Sequence, residues 1–373
     1  MEVNWWRVPG ATRFVDTIFQ ELRSGKNVVA SFPRHVPGGF REALAERVRE
    51  IDVWRWRTIN AAEFPSGGVA ALLEGLHKRF VAARQASDVC SALTLAQRLV
   101  GTIVWVEDAA EHAWDTWTAF LDQYQHACQS CDLLDRSLFC LSAVGNPTPP
   151  PRADAALAVW RWQGRVDRLD MNLYIDRVLS SRFPHPLHHQ VALSVVTELA
   201  GADAQLCQHL ATQDLATIMA PFQCLKDFAV ARGWTTASCE QPNWAEGTID
   251  RVNGASMVHS AAIAARGDRV ELRRRVWRGQ VSVLYPFIEQ QRINIIPLIR
   301  GYLRLPVETT YGKVDDAEDL EVGQLLYFLR GNRIPPRLWK LLSLLTEMRH
   351  ALAHLQTVPL ASLLADEILH LEE

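Results

Sequence analysis

The stretch EMRHALAHLQ (347–356) sets one arginine and two histidines, Arg349, His350 and His354, into an otherwise helix-forming, apolar segment. An imidazole titrates near neutrality and serves as either acid or base. A guanidinium offers a rigid fork of donors to phosphate oxygens. On an ideal helix at about 100° per residue, with Glu347 at zero, His350 falls at about 300° and His354 at about 340°, on one polar stripe with Glu347 and Ser343. Leu344, Leu345, Met348, Ala351, Leu352 and Leu355 form the apolar arc, and Arg349 lies at its far edge, at about 200°. Arginine and final histidine therefore do not share a face. A joint site needs the arginine to curl round the helix or a second copy of the helix to complete it. Two histidines four apart beside Glu347 also suit zinc, but HALAH lacks the internal glutamate of HExxH and no third ligand is evident. A solvated helix face accounts for the same residues without any chemistry.

A second constellation follows the apolar run NVVASF (27–32). The segment PRHVPGGF (33–40) brings two glycines to a helix start, but no GK[ST] follows. The lysine of that motif neutralises β- and γ-phosphate charge and its Ser or Thr holds magnesium, so two parts of the usual hydrolytic route are missing. Amides of Gly38, Gly39 and Phe40 at a helix start still suit an anion, with Arg34 or His35 as substitute cation. Farther on, IVWVED (103–108) is an apolar strand ending in acids. Glu107 or Asp108 would face a metal ion and water there, or would cap the next helix.

These residues need elements to hold them. Over the first ~145 residues short apolar runs alternate with helical spacing: KNVVASF, then GGFREALAERVREI; VWRWRTI, then GVAALLEGLHKRFVAAR; GTIVWVEDA, then AWDTWTAFLDQYQHA; and finally SLFCLSAVG. Such alternation predicts a parallel sheet covered on both faces by helices. The proline cluster GNPTPPP (145–151) marks a first boundary and EQPNWAEGTIDRVNGAS, rich in loop residues, a second. The expected domains are therefore 1–150, 151–255 and 256–373, the middle one mostly helical after a strand-like ALAVWRWQG. From 256 on the pattern predicts three or four helices, the first bent or split at Pro286 and Pro297. NWWR and both copies of VWRW read as buried or interface strands.

Composition narrows the classes. With 373 residues and 48% hydrophobic content the chain can build a sizeable core without disulfides or metals. No apolar run reaches the ~20 residues of a membrane span, and the N-terminus lacks a signal-peptide pattern, so the expectation is a cytoplasmic protein with no membrane partner. Seven cysteines, an odd number with Cys128 and Cys131 as the closest pair, read as buried free thiols. A net charge of −3 leaves nucleic-acid binding to a local patch, and six arginines in RGDRVELRRRVWRGQ (266–280) are the candidate, unless they pair with Glu271 and its neighbours.

Residues ~1–250 resemble the AAA+ and STAND class of P-loop ATPases, with 151–255 as a lid-like region. The resemblance implies a three-layer α/β domain that binds nucleotide through Gly38, Gly39, Arg34, Glu107 and Asp108. Without GK[ST], ATP hydrolysis is not expected, and a degenerate sensing or docking module is. RHALAH (349–354) is similar to the RφxxxH signature of the HEPN superfamily of helical ribonucleases, a resemblance covering roughly 256–373. It implies an all-α bundle that pairs as a homodimer and cuts RNA without metal or other cofactor. His354 would act as general base or acid, Arg349 would stabilise phosphate charge, and His350 would orient the pair. Attack by the 2′-hydroxyl would give a 2′,3′-cyclic phosphate. Glu289 and Glu321 are lesser candidates, tuning the arginine or a histidine. Together the two resemblances imply a toxin-like effector in stress response or antiviral defence. The alternative is a non-enzymatic scaffold or adaptor in a multi-protein defence complex, which is the reading favoured if Arg349 is tied up in an internal ion pair.

Overall fold

A computed structural model describes residues 4–369 apart from 52, 65, 66, 81–90, 129–131, 133–135, 149, 181 and 311. Cys90 and Cys131, and with Cys131 the Cys128–Cys131 pair, lie outside the described residues. The chain divides into two compact units, Met1–Asp170 with Gln241–Val258, and Met171–Glu240 with His259–Glu373.

In the first unit the order is α1 Pro9–Arg23, β1 Asn27–Phe32, α2 Phe40–Arg49, β2 Arg55–Asn60, α3 Gly68–Phe80, α4 Ala92–Arg98, β3 Thr102–Glu107, α5 Trp114–Cys128, β4 Leu138–Val144 and β5 Leu157–Arg161, with a hairpin of β6 Ile249–Val252 and β7 Ala255–Val258. Strands β2-β3-β4-β1-β5 form one sheet in that order, parallel throughout, which with its surrounding helices fits a P-loop-like domain. NVVASF is buried at every position because both of its faces are covered. Val29, Val104 and Leu141 pack into one core with Leu72, Trp117 and Phe120 of α3 and α5. An aromatic cluster joins Phe40 of α2 to Phe32 and Trp105, ring centroids 4.9 and 5.6 Å apart, and Phe14 of α1 to Trp162 at 5.1 Å. Edge strand β2, RWRTIN, is largely exposed, its charged residues suiting an unpaired edge.

Two local readings change. NWWR is a 3₁₀ turn, Trp5–Arg7, and not a strand, because Asn4 caps it by accepting the Trp6 N–H at 2.9 Å and Pro9 then opens α1. The stretch read as loop at 240–256 holds β6 and the start of β7, a hairpin whose turn Asn253-Gly254 has φ of 50° and 79°. Asn-Gly is the residue pair that such turns favour, so the signal was present in the sequence. Helix α1 itself begins under a constraint: Gly10 N–H donates to Asp170 Oδ1 at 2.8 Å, and a Cβ on Gly10 would lie 2.3 Å from Asp170 Oδ2 and 2.4 Å from the Arg165 carbonyl.

The second unit comprises α6 Arg168–Leu179, which leads in from the first, α7 Pro186–Ala200, α8 Ala204–Ala211, α9 Leu215–Met219, α10 Phe222–Ala231, α11 Thr236–Glu240, α12 Ser260–Ala265, α13 Arg269–Ile299, α14 Val322–Phe328, α15 Pro336–Ala353, α16 Leu360–Leu363 and α17 Asp366–Leu369. A hairpin of β8 Val307–Thr309 and β9 Gly312–Val314 departs from the all-α expectation for 256–373. Helix α13 is one continuous element and not split at Pro286 or Pro297, although each proline lacks the backbone N–H and crowds the carbonyl four residues back. Gly279 makes its packing on α7 close: a Cβ there would stand 2.6 Å from the Val195 Cα. Two side chains of α13 then anchor the segment after α15. Trp277 Nε1 donates to the Leu352 carbonyl at 2.9 Å, and the buried Gln280 amide donates to the Val358 carbonyl at 3.0 Å and accepts its N–H at 2.8 Å.

A buried ion cluster joins α8, α10 and α12. Asp203 caps α8, accepts from Arg232, and accepts from His259 Nε2 at 3.0 Å, while His259 Nδ1 accepts the Ala261 N–H at 3.1 Å and caps α12. Burial opposes the Asp203 charge, but hydrogen bonds from His259 and Arg232 and their positive field hold its carboxyl well below the usual range. Burial, helped by Arg232 and Arg275, lowers His259 despite Asp203.

Candidate functional site

In open α/β sheets ligands bind beyond the carboxyl ends of the strands, where the chain turns to opposite sides of one strand. Here that strand is β1, flanked by β4 and β5. The loop after β1 ends at Gly39, whose φ of 95° makes it a left-handed cap for α2 that most residues would enter only with strain. The Gly38 carbonyl accepts from Trp6 Nε1 at 2.7 Å, and the Trp6 ring lies 3.2 Å from where a Gly39 Cβ would stand. Arg34 is drawn aside: its N–H donates to the Ala245 carbonyl at 2.8 Å and its guanidinium pairs with Glu246 at 3.2 Å.

At the end of β3, Glu107 Oε1 accepts from Arg41 Nη1 at 2.6 Å. Arg41 belongs to the first turn of α2 and also donates through Nε to Glu42 at 2.9 Å. That hydrogen bond, with attraction from Glu107 and Glu42, raises the Arg41 guanidinium above its ordinary value. Asp108 has φ 56° and accepts from Asn60 Nδ2 at 2.7 Å, tying the ends of β2 and β3 together. It does not cap α5, which begins only at Trp114. The acid at the strand end is thus held by a guanidinium, two residues past Gly39, that the sequence reading passed over. Its only local signal was an arginine in a helix turn where the dipole prefers acids.

The second constellation lies at the end of α15. The helix closes at its C-cap His354 with Leu355 at φ 58°; Gln356 N–H bonds the Ala351 carbonyl at 2.9 Å and Leu355 N–H that of Leu352 at 3.2 Å, a Schellman arrangement. Leu355, assigned to the apolar arc, is therefore 61% exposed, since the helix ends before its register reaches the core. Leu345, Met348 and Leu352 are buried as the arc requires. His350 and His354 are exposed and their rings lie 4.3 Å apart at 55°. Arg349 turns elsewhere: its Nη2 pairs with Glu321 at 2.8 Å and its Nε lies 3.9 Å from Glu289, which also accepts from Arg292 at 2.7 Å. Two acids from α13 and the cap of α14 thus converge on Arg349, and among the described residues no hydrogen bond or ion pair joins Arg349 to either histidine. No group of three or more His, Cys, Asp or Glu is placed to hold a metal ion among those residues.

Three of the six arginines of 266–280 pair with acids. Arg274, Arg275 and Arg278 all approach Glu271, at 3.9, 3.5 and 3.2 Å, and Arg278 also meets Glu198 at 3.2 Å. Arg275 is buried, donates to Ser260 Oγ at 2.7 Å, and is pushed down to about 10, chiefly by burial. Cys128, Cys140, Cys207 and Cys239 are buried, and Cys224 is half-buried. No described helix is long and apolar enough to cross a membrane.

No family model matches the sequence, and no curated protein matches it. Among solved structures the chain is similar to the Walker-type ATPase PABY2304 of Pyrococcus abyssi, with 11% identity over 68% of this chain and 95% of that one and a TM-score of 0.41. It is similar also to the FIGL-1 AAA domain in complex with ADP, with 16% identity, coverage of 72% and 85%, and a TM-score of 0.34. A RuvB mutant of Thermotoga maritima gives 8% identity, coverage of 85% and 92%, and a TM-score of 0.29. No residue role passes from any of them to this chain.

Proposed function

We propose that this chain is a non-enzymatic scaffold or adaptor of a multi-protein assembly, built on a P-loop-like frame that does not hydrolyse ATP. The observation that supports the reading is the 2.6 Å pair between Arg41 and Glu107. Hydrolysis needs a free cation for the phosphates and a free carboxylate for metal and water. Here the strand-end acid and the nearest helix-start arginine neutralise each other, and the lysine and the Ser or Thr are absent. The same economy recurs at Arg349, whose guanidinium is engaged by Glu321 and Glu289. Nucleotide binding through the amides near Gly38 and Gly39 is compatible with this role as a structural ligand. The test is phosphate release from ATP with magnesium, beside Glu107→Gln. No turnover in either protein is expected; turnover lost in the variant would overturn the reading.

A second reading is favoured by the paired rings of His350 and His354 on an exposed helix end: a HEPN-like bundle that cuts RNA when a second copy faces it. Incubation of the protein with labelled RNA in excess EDTA, beside His354→Ala and Arg349→Ala, decides it. Cleavage abolished in both variants would replace the adaptor reading with the ribonuclease. An uncut substrate would leave the adaptor.

A further inference from the structure

A cavity of about 210 Å³ opens at the carboxyl ends of β1, β4 and β5, lined by Ser31, Gly145, Asn146, Thr148, Arg161 and Trp244 together with prolines of the 145–151 loop. It is separate from the loop discussed above, for Gly38, Gly39, Arg41 and Glu107 take no part in its wall. Its position, astride β1 and both of that strand's neighbours, is the place where such sheets collect ligands.

The wall carries hydrogen-bond donors and no carboxylate. The Arg161 guanidinium stands 5.7 Å from the Trp244 ring centroid, and no carboxylate pairs with it among the described residues. Stacking occupies the guanidinium's face and leaves its edge N–H groups to bind. Trp244 is only 9% exposed, so its ring is a fixed backing for that guanidinium. Ser31 is 4% exposed, and its hydroxyl meets no protein partner among the described residues. An arginine with no carboxylate partner among the described residues and a hydroxyl on the wall of one cavity suit an oxyanion, and arginine's fork matches phosphate. Size limits the occupant: the volume equals about seven waters at about 30 Å³ each and falls below the ~300 Å³ at which pockets for larger organic ligands begin.

We propose that this cavity binds a phosphate group, either as the free ion or at the end of a small phosphate ester, with Arg161, backed by the Trp244 ring, as the main anchor and Ser31 as a neutral donor. The site does not depend on the adaptor reading and would survive its failure.

Titration calorimetry on the full chain with inorganic phosphate and, separately, glycerol phosphate, with chloride as control, tests it. One equivalent of either phosphate is expected to bind, with affinity at least tenfold lower in Arg161→Met and several-fold lower in Ser31→Ala. Tighter binding of glycerol phosphate assigns the site to an ester; tighter binding of the inorganic ion assigns it to free phosphate. Circular dichroism checks that Arg161→Met is folded; if it is not, Arg161→Lys, which keeps the charge and loses the fork, and Ser31→Ala carry the comparison. Absence of heat with both phosphates, or binding equal to wild type in the folded variants, would overturn the proposal.

Discussion

Leu355 shows how a single residue departs from its local pattern. It holds φ 58° at the end of α15, a left-handed position that costs a residue with a Cβ about 1–2 kcal/mol. Its side chain is exposed, so Leu355→Gly removes the strain without opening the core. A gain of about 0.5–1 kcal/mol in urea unfolding is expected, after the entropy glycine adds to the unfolded chain. Gly10 gives the opposite result. Alanine there meets the Asp170 carboxylate and the Arg165 carbonyl, and a loss of about 1–3 kcal/mol is expected. For Glu321→Ala the expected change is at most about 1 kcal/mol, because its pair with Arg349 is partly solvated. Unchanged stability with that variant would also make it a way to release Arg349 from its nearer acid in the RNA assay, with Glu289 still beside it.

Contacts between elements set the second level. Gly279→Ala forces α13 away from α7 at Val195, and a loss of about 1–3 kcal/mol in thermal or urea unfolding is expected. The cluster at α8, α10 and α12 makes stability depend on pH. His259 is lowered on folding, so as pH falls through about 6.5 the unfolded chain takes up the proton first and stability begins to drop. Asp203 is also lowered, so its contribution is full above about pH 3.9 and is lost as pH falls further. The expected melting temperature is flat from pH 8 to 7 and declines below about 6.5. His259→Asn keeps an N-cap acceptor and does not titrate, so the part of the decline near pH 6.5 should vanish in that variant. Persistence of that part would assign it to another group.

At the scale of the whole molecule, the described chain consists of two units, each with a core of its own. Larger chains built this way commonly unfold in more than one step. Calorimetry of Gly10→Ala and Gly279→Ala should therefore move different parts of the melting profile; a single transition displaced equally by both would show that the units unfold as one.

What was legible in the sequence was whatever depends on near neighbours. NVVASF and GTIVWVE read as buried strands because a strand covered on both faces must be apolar at nearly every position, and both are. The amphipathic repeat of 336–353 likewise fixed which residues of α15 face inward, up to the point where the helix ends and Leu355 turns out. NWWR was misread because buried tryptophans mark burial and not strand geometry, while Asn253-Gly254 was a turn signal that went unused. Charge pairing was beyond reach. Arg41 and Glu107 are 66 positions apart and meet because α2, which connects β1 to β2, crosses β3 lying between those strands in the sheet, and Arg349 meets Glu289 and Glu321 only through the packing of three helices. Arg161 and Trp244 face one cavity because a late segment returns to the first unit. Residue types and spacing decided by themselves which groups had the capacity for chemistry. Only the tertiary structure decided which of those groups are neutralised and which remain free, because a charge's state depends on its nearest opposite charge in space, and local periodicity carries no information about that distance.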